Sequence, residues 1–202
     1  MQPEEKDAAE ISRRSLIAGA TLVPVAALTA AAQAPRTALS TPQRQILDAF
    51  VDRICPKDEL GPGALDMGAA NYIDLALGDA LAAEKATLAE GLAATDAFAR
   101  KQFDGPFAEL APEKKDQVLT ALEAGNVPEF PAARAFFNRM RRLTLEGMFC
   151  DPYYGGNKNF AGWDLIRYPG PRLAVGPDDQ KMSSAPKPLH QSAYGANFNH
   201  GH

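Results

Sequence analysis

The sequence predicts an all-α domain. Three observations carry that prediction. Apolar residues recur every three or four positions in five separate stretches, prolines and glycines punctuate the ends of those stretches, and no run alternates apolar with polar residues long enough to make a sheet. No repeat of fixed length is present either, which excludes a solenoid.

The first helix is expected over 41–55. Ser40 and Thr41 offer an N-cap, Pro42 fits the first turn, and Ile46, Leu47, Phe50, Val51 and Ile54 form one face until Pro56 stops it. An acidic loop with Gly61-Pro62-Gly63 follows. Tyr72, Ile73, Leu75 and Leu77 resume an apolar face over 71–77, and Gly78 separates it from a long Ala-rich helix over 79–103 carrying Leu81, Leu88, Leu92 and Phe98. Gly105-Pro106 is the expected stop. Pro112 opens a fourth helix with Val118, Leu119 and Leu122 as its buried stripe and Gly125 as its end. The fifth starts near Pro131 and carries Phe136, Phe137, Met140, Leu143, Leu145 and Met148. Its other faces hold Arg134, Arg139, Arg141 and Arg142, which read either as a solvated face or as a partner-docking stripe. Beyond Phe149 the chain turns to Gly, Pro, Asn and aromatics, a composition that predicts irregular structure. From about residue 173 it becomes a polar extended tail with little to bury.

Composition bounds the function. The 202 residues suffice for one domain with a core, 46% hydrophobic and 23% charged residues are ordinary globular values, and a net charge of -4 gives no basic footprint for nucleic acid. Two Cys and three His cannot build a cysteine-caged metal site or an iron-sulfur cluster. There is no dinucleotide, phosphate, haem-attachment or zinc-protease motif and no nucleophile arrangement. The histidines His190, His200 and His202 and the acidic pair Asp178-Asp179 all fall in the polar tail, outside any inferable pocket.

The N-terminus reads as an export leader. Arg13-Arg14 precede an uncharged run from Leu16 to Ala32, broken by Pro24 and too weakly apolar for a membrane span. The arginine pair with a mildly apolar core resembles the twin-arginine class, with cleavage favoured after Ala32 because Pro35 hinders cutting after Ala34. An ordinary secretory signal and a retained anchor are the alternatives. The division is then a leader over 1–32, a helical domain over 33–172 and a tail over 173–202. An oxidising destination makes a Cys55–Cys150 disulfide the expected state of the two cysteines. Twin-arginine export serves cargo that folds or loads a cofactor before crossing, yet this chain shows no cofactor motif. The simplest resolution places the cofactor in a partner.

The stretch Glu146-Gly147-Met148-Phe149-Cys150-Asp151-Pro152-Tyr153-Tyr154-Gly155-Gly156-Asn157, followed by Gly162-Trp163-Asp164-Leu165-Ile166-Arg167-Tyr168-Pro169-Gly170-Pro171, resembles the signature of the gluconate 2-dehydrogenase subunit 3 family. The order of parts, from leader through Ile54-Cys55-Pro56 and the loop Asp58–Gly63 to the aromatic-glycine segment, resembles it as well. The resemblance implies a small accessory subunit beside a FAD-containing large subunit and a multihaem cytochrome c subunit, in a membrane-associated complex that oxidises sugars or sugar acids in the periplasm. It implies no catalytic, cofactor or metal residue in this chain. Within the segment, Phe160, Trp163 and Tyr168 read as a cap on the helical core, while Tyr153, Tyr154, Trp163 and Tyr168 are candidates for anchoring the partner. An independent periplasmic helical enzyme and a free-standing export chaperone are the competing functions.

Overall fold

A computed structural model describes residues 37–195 apart from positions 173, 178, 182 and 184. The leader with Arg13 and Arg14, and the tail residues Asp178, His200 and His202, lie outside the described residues. Among the described residues there are six α-helices, four short 3-10 turns and no strand.

Helix α1 (Thr41–Ile54) starts where its cap residues place it, with the Ser40 N–H donating to Gln43 Oε1 at 2.9 Å. Its face of Ile46, Leu47, Phe50 and Val51 is buried, and Phe50 is the centre of the core. The Phe50 ring meets Phe136 edge-on at 5.8 Å, Phe137 at 6.1 Å and Phe107 at 6.4 Å. Truncating such a ring to Ala costs about 3–5 kcal/mol. Helix α2 (Ala69–Gly78) lies against α1 and, most extensively, against α5 (Ala133–Phe149). Helix α4 (Pro112–Ala124) covers another side of α5 and buries Val118, Leu119 and Leu122, as the stripe predicts.

Three expectations change. The long helix expected over 79–103 is broken: the chain leaves α2 at Asp79, makes a 3-10 turn at Ala82–Glu84, and only then enters α3 (Lys85–Phe103). The turn takes the backbone bonds that a continuous helix would use, with Leu81 N–H donating to Ala76 O at 2.7 Å and Glu84 N–H to Leu81 O at 2.9 Å. Helix α3 ends at Phe103, where the sequence places its end, with Asp104 taking the left-handed conformation at φ 55° as its cap. Leu145, counted with the apolar face of α5, is 45% exposed. The aromatic-glycine segment is not wholly irregular, since Ala161–Leu165 form a short helix, α6.

The arginines of α5 are occupied within the chain. Arg139 makes a two-bond pair with Glu84 at 2.7 Å for each bond, Arg142 pairs with Glu146 at 2.8 Å, Arg141 reaches Glu123 at 3.8 Å, and Arg134 donates to Ala124 O at 2.7 Å. These contacts match the solvated-face reading of the stripe. No helix among the described residues is long and apolar enough to cross a membrane.

Candidate functional site

The site is the aromatic-glycine segment, and its position is set by the end of α5. After Phe149 the chain turns back through a 3-10 turn at Pro152–Tyr154, where Asp151 caps the turn by accepting from Tyr153 N–H at 3.0 Å. It then passes so close to α5 that side chains are excluded. A Cβ on Gly156 would stand 2.1 Å from Gly147 O, and one on Gly162 would stand 1.9 Å from Met148 O. The glycines of the motif are therefore required by close approach rather than by turn geometry alone.

Asn157 ties the crossing together. Its side chain is fully buried; Nδ2 donates to Cys150 O at 2.9 Å, and Oδ1 accepts from Gly162 N–H at 2.8 Å. Its own N–H donates to Gly147 O at 2.8 Å, and its φ of 44° is one that Asn tolerates better than most residues. Trp163 follows on α6 and is only 5% exposed, its indole N–H donating to Phe149 O at 2.9 Å. Asn71 on α2 fastens the other side by donating from Nδ2 to Gly155 O at 2.8 Å.

The anchoring candidates thus divide. Trp163 is inside, in the capping place, with Tyr168 edge-on to it at 4.9 Å and 41% exposed. Tyr153 is half-buried and Tyr154 is 46% exposed, with their rings 5.1 Å apart. Leu165 and Ile166 also face solvent on the same segment. Next to these lies an open cleft of about 640 Å³ lined by Arg44, Asp66, Asn71, Lys158, Phe160 and His190, among others. Its charged groups are already paired in part: Arg44 with Asp48 at 2.7 Å and Asp74 at 3.3 Å, His190 with Asp164 at 2.7 Å. Among the described residues no cluster of three or more His, Cys, Asp or Glu is placed to hold a metal ion.

The expected Cys55–Cys150 disulfide is not formed; both cysteines are free. Each is held by its own loop. Cys55 caps α1 and its carbonyl accepts from Ala64 N–H at 2.8 Å, whereas the Cys150 thiol donates to Gly147 O at 3.6 Å beneath the Gly156 backbone. Burial pushes the Cys150 thiol up to about 11, so it is protonated at neutral pH and a poor nucleophile. Tyr72 and Glu146 share a smaller cleft of about 350 Å³ with it, and burial followed by the Glu146 charge pushes the Tyr72 phenol up to about 12.

Two residues that organise this end of the molecule escape a reading by periodicity. Asn157 sits in a glycine-rich stretch that carries no period at all. Asp74 lies on the apolar face of α2, 2% exposed, where it accepts from Ala38 N–H at 2.7 Å and Leu39 N–H at 2.9 Å and so pins the chain entering α1. An acid between Ile73 and Leu75, one step from the core stripe, is the signal that identifies it.

No curated protein and no solved structure matches the chain. The family model for gluconate 2-dehydrogenase subunit 3 matches residues 41–170, from the first residue of α1 to the glycine that ends the aromatic-glycine segment, and the chain belongs to that family.

Proposed function

We propose that the chain is a non-catalytic accessory small subunit of a periplasmic, membrane-associated dehydrogenase that oxidises a sugar or sugar acid. FAD is assigned to a large catalytic subunit and haem c to a multihaem cytochrome c subunit, and attachment to the cytoplasmic membrane runs through those partners. The observation that carries this reading is family membership over residues 41–170. The site is consistent with it. The part of the chain that the family shares is devoted to building a shape, through Asn157, Trp163 and the close-packed glycines, while Tyr154, Leu165, Ile166 and Tyr168 present apolar surface at its edge. The leader supplies the second half of the role: Arg13 and Arg14 direct the folded subunit, with the flavoprotein bound to it, to the twin-arginine export machinery.

Purification of the tagged full chain from cells that express it with its neighbouring genes tests the assignment. The expected result is a stable complex that shows flavin absorbance and reduces an acceptor with a sugar or sugar acid. A chain that purifies alone and turns over substrate without flavin would establish an independent enzyme instead. A partner bound before export and released after it would establish a free-standing chaperone.

A further inference from the structure

The family match ends at residue 170, yet the chain continues and comes back. Residues 189–194 return across the outer face of the aromatic-glycine segment, bending at His190, whose φ is 45°, and closing in a turn where Gly195 N–H donates to Ser192 O at 3.3 Å. Leu189 N–H donates to Pro169 O at 3.0 Å. The His190 ring stacks on Phe160 at 5.2 Å with 13° between the planes, and its Nε2 is 2.7 Å from Asp164 Oδ1. Four residues on, the Tyr194 ring stacks on Tyr153 at 4.4 Å and its hydroxyl meets that of Tyr154 at 2.7 Å. Between the two rings, Ala193 N–H donates to Asp151 Oδ2 at 2.8 Å.

We propose that this face is a docking surface for a short peptide that ends in a turn, and that residues 187–195 are its intramolecular occupant, displaced by a partner segment of the same chemistry. That chemistry is two aromatic rings four residues apart, offered to Phe160 and Tyr153, on a backbone that donates toward Asp151 and a side chain that donates toward Asp164. The two carboxylates exclude an acidic segment and favour a neutral or basic one. The strap is held superficially, since Tyr194 remains 52% exposed and the His190 side chain 48% exposed, so releasing it uncovers little core. A short tether gives such a segment an effective concentration of about 1 mM, so contacts with an intrinsic dissociation constant on the order of 100 μM keep the surface about nine-tenths occupied. A competing segment must overcome that occupancy, which weakens its apparent affinity about tenfold and reserves the surface for a partner that binds elsewhere as well.

The test uses the full chain and a synthetic peptide of residues 187–195. His190→Ala with Tyr194→Ala releases the strap, and the peptide is expected to bind this double variant at least ~10-fold more tightly than the parent, whose surface is occupied. Adding Tyr153→Ala to the double variant should abolish the binding. Equal binding to parent and double variant, or none to either, overturns the proposal. Hydrogen exchange in the unaltered chain gives a check that needs no variant. The amides of Leu189 and Ala193 should exchange at least ~100-fold faster than those of α1 and α5, as displaceable structure does, and exchange at the rate of the core would contradict a removable strap.

Discussion

Asn157 shows how much of this motif rests on single atoms. Its amide supplies both the donor for Cys150 O and the acceptor for Gly162 N–H, in a position with no access to water. Asn157→Ala leaves the buried Gly162 N–H and the part-buried Cys150 O without this partner, and at about 1–3 kcal/mol for each such group the loss is on the order of 2–6 kcal/mol. Urea unfolding of the variant checks this; an unchanged midpoint would mean that the crossing is held by packing alone. Cys150 offers a second test at this scale. Its folded-state value lies above the ordinary thiol value of 9.0, so the fold favours the protonated form. The stabilisation is present in full below about pH 9 and is lost as the pH climbs toward about 11. A rise of two units at about 1.4 kcal/mol each puts the loss on the order of 2–3 kcal/mol. Comparing unfolding of the parent and Cys150→Ala at pH 8 and pH 11 isolates it from the other groups that titrate there, and the variant should lose less than the parent by that amount. Parallel declines in the two proteins would show that the thiol is not buried as described.

At the scale of elements, α6 and the segment after it separate folding from display. Trp163 is buried with its indole N–H satisfied, whereas Tyr168 leans on it from outside. Trp163→Ala should therefore lower stability by about 3–5 kcal/mol. Tyr168→Ala should lower it by roughly 1 kcal/mol, close to the value of one aromatic pair. Thermal unfolding of the two variants distinguishes them; similar shifts would mean that Tyr168 is as much a part of the core as Trp163. Helices α1 and α4 were legible in the sequence because their caps, stripes and stops are local: Ser40 and Pro42 at one end of α1, Val118, Leu119 and Leu122 along α4. The break before α3 and the short α6 were not, because both depend on what the chain meets after folding. Glu84 is engaged by Arg139, 55 residues away, and α6 begins where Asn157 receives the N–H of Gly162. The cysteines teach the same point. Their count and destination suggested a bond, but both cysteines are free, and the Cys150 thiol donates to Gly147 O instead.

For the whole molecule, the helices serve to hold one end in shape. Helices α2 and α5 are packed against each other most extensively, and the aromatic-glycine segment is laid across the end of that pair, fixed by Asn71 on one side and Gly147 on the other. The family match covers this body over residues 41–170, and the strap at 187–195 lies beyond it. The proposed escort role joins the body to the leader: it gives a chain with no cofactor motif a reason to carry the twin-arginine-like pair Arg13-Arg14, because a bound flavoprotein would travel with it. Changing Arg13 and Arg14 together to Lys tests that link without touching the folded body, because both residues precede the expected cleavage after Ala32. The measurement is flavin-linked dehydrogenase activity in separated periplasmic and cytoplasmic fractions. The expected result is loss of periplasmic activity, with the large subunit retained in the cytoplasm, folded and flavin-loaded. Normal periplasmic activity in the double variant would contradict the escort role and leave the subunit, at most, a stabilising one after separate export.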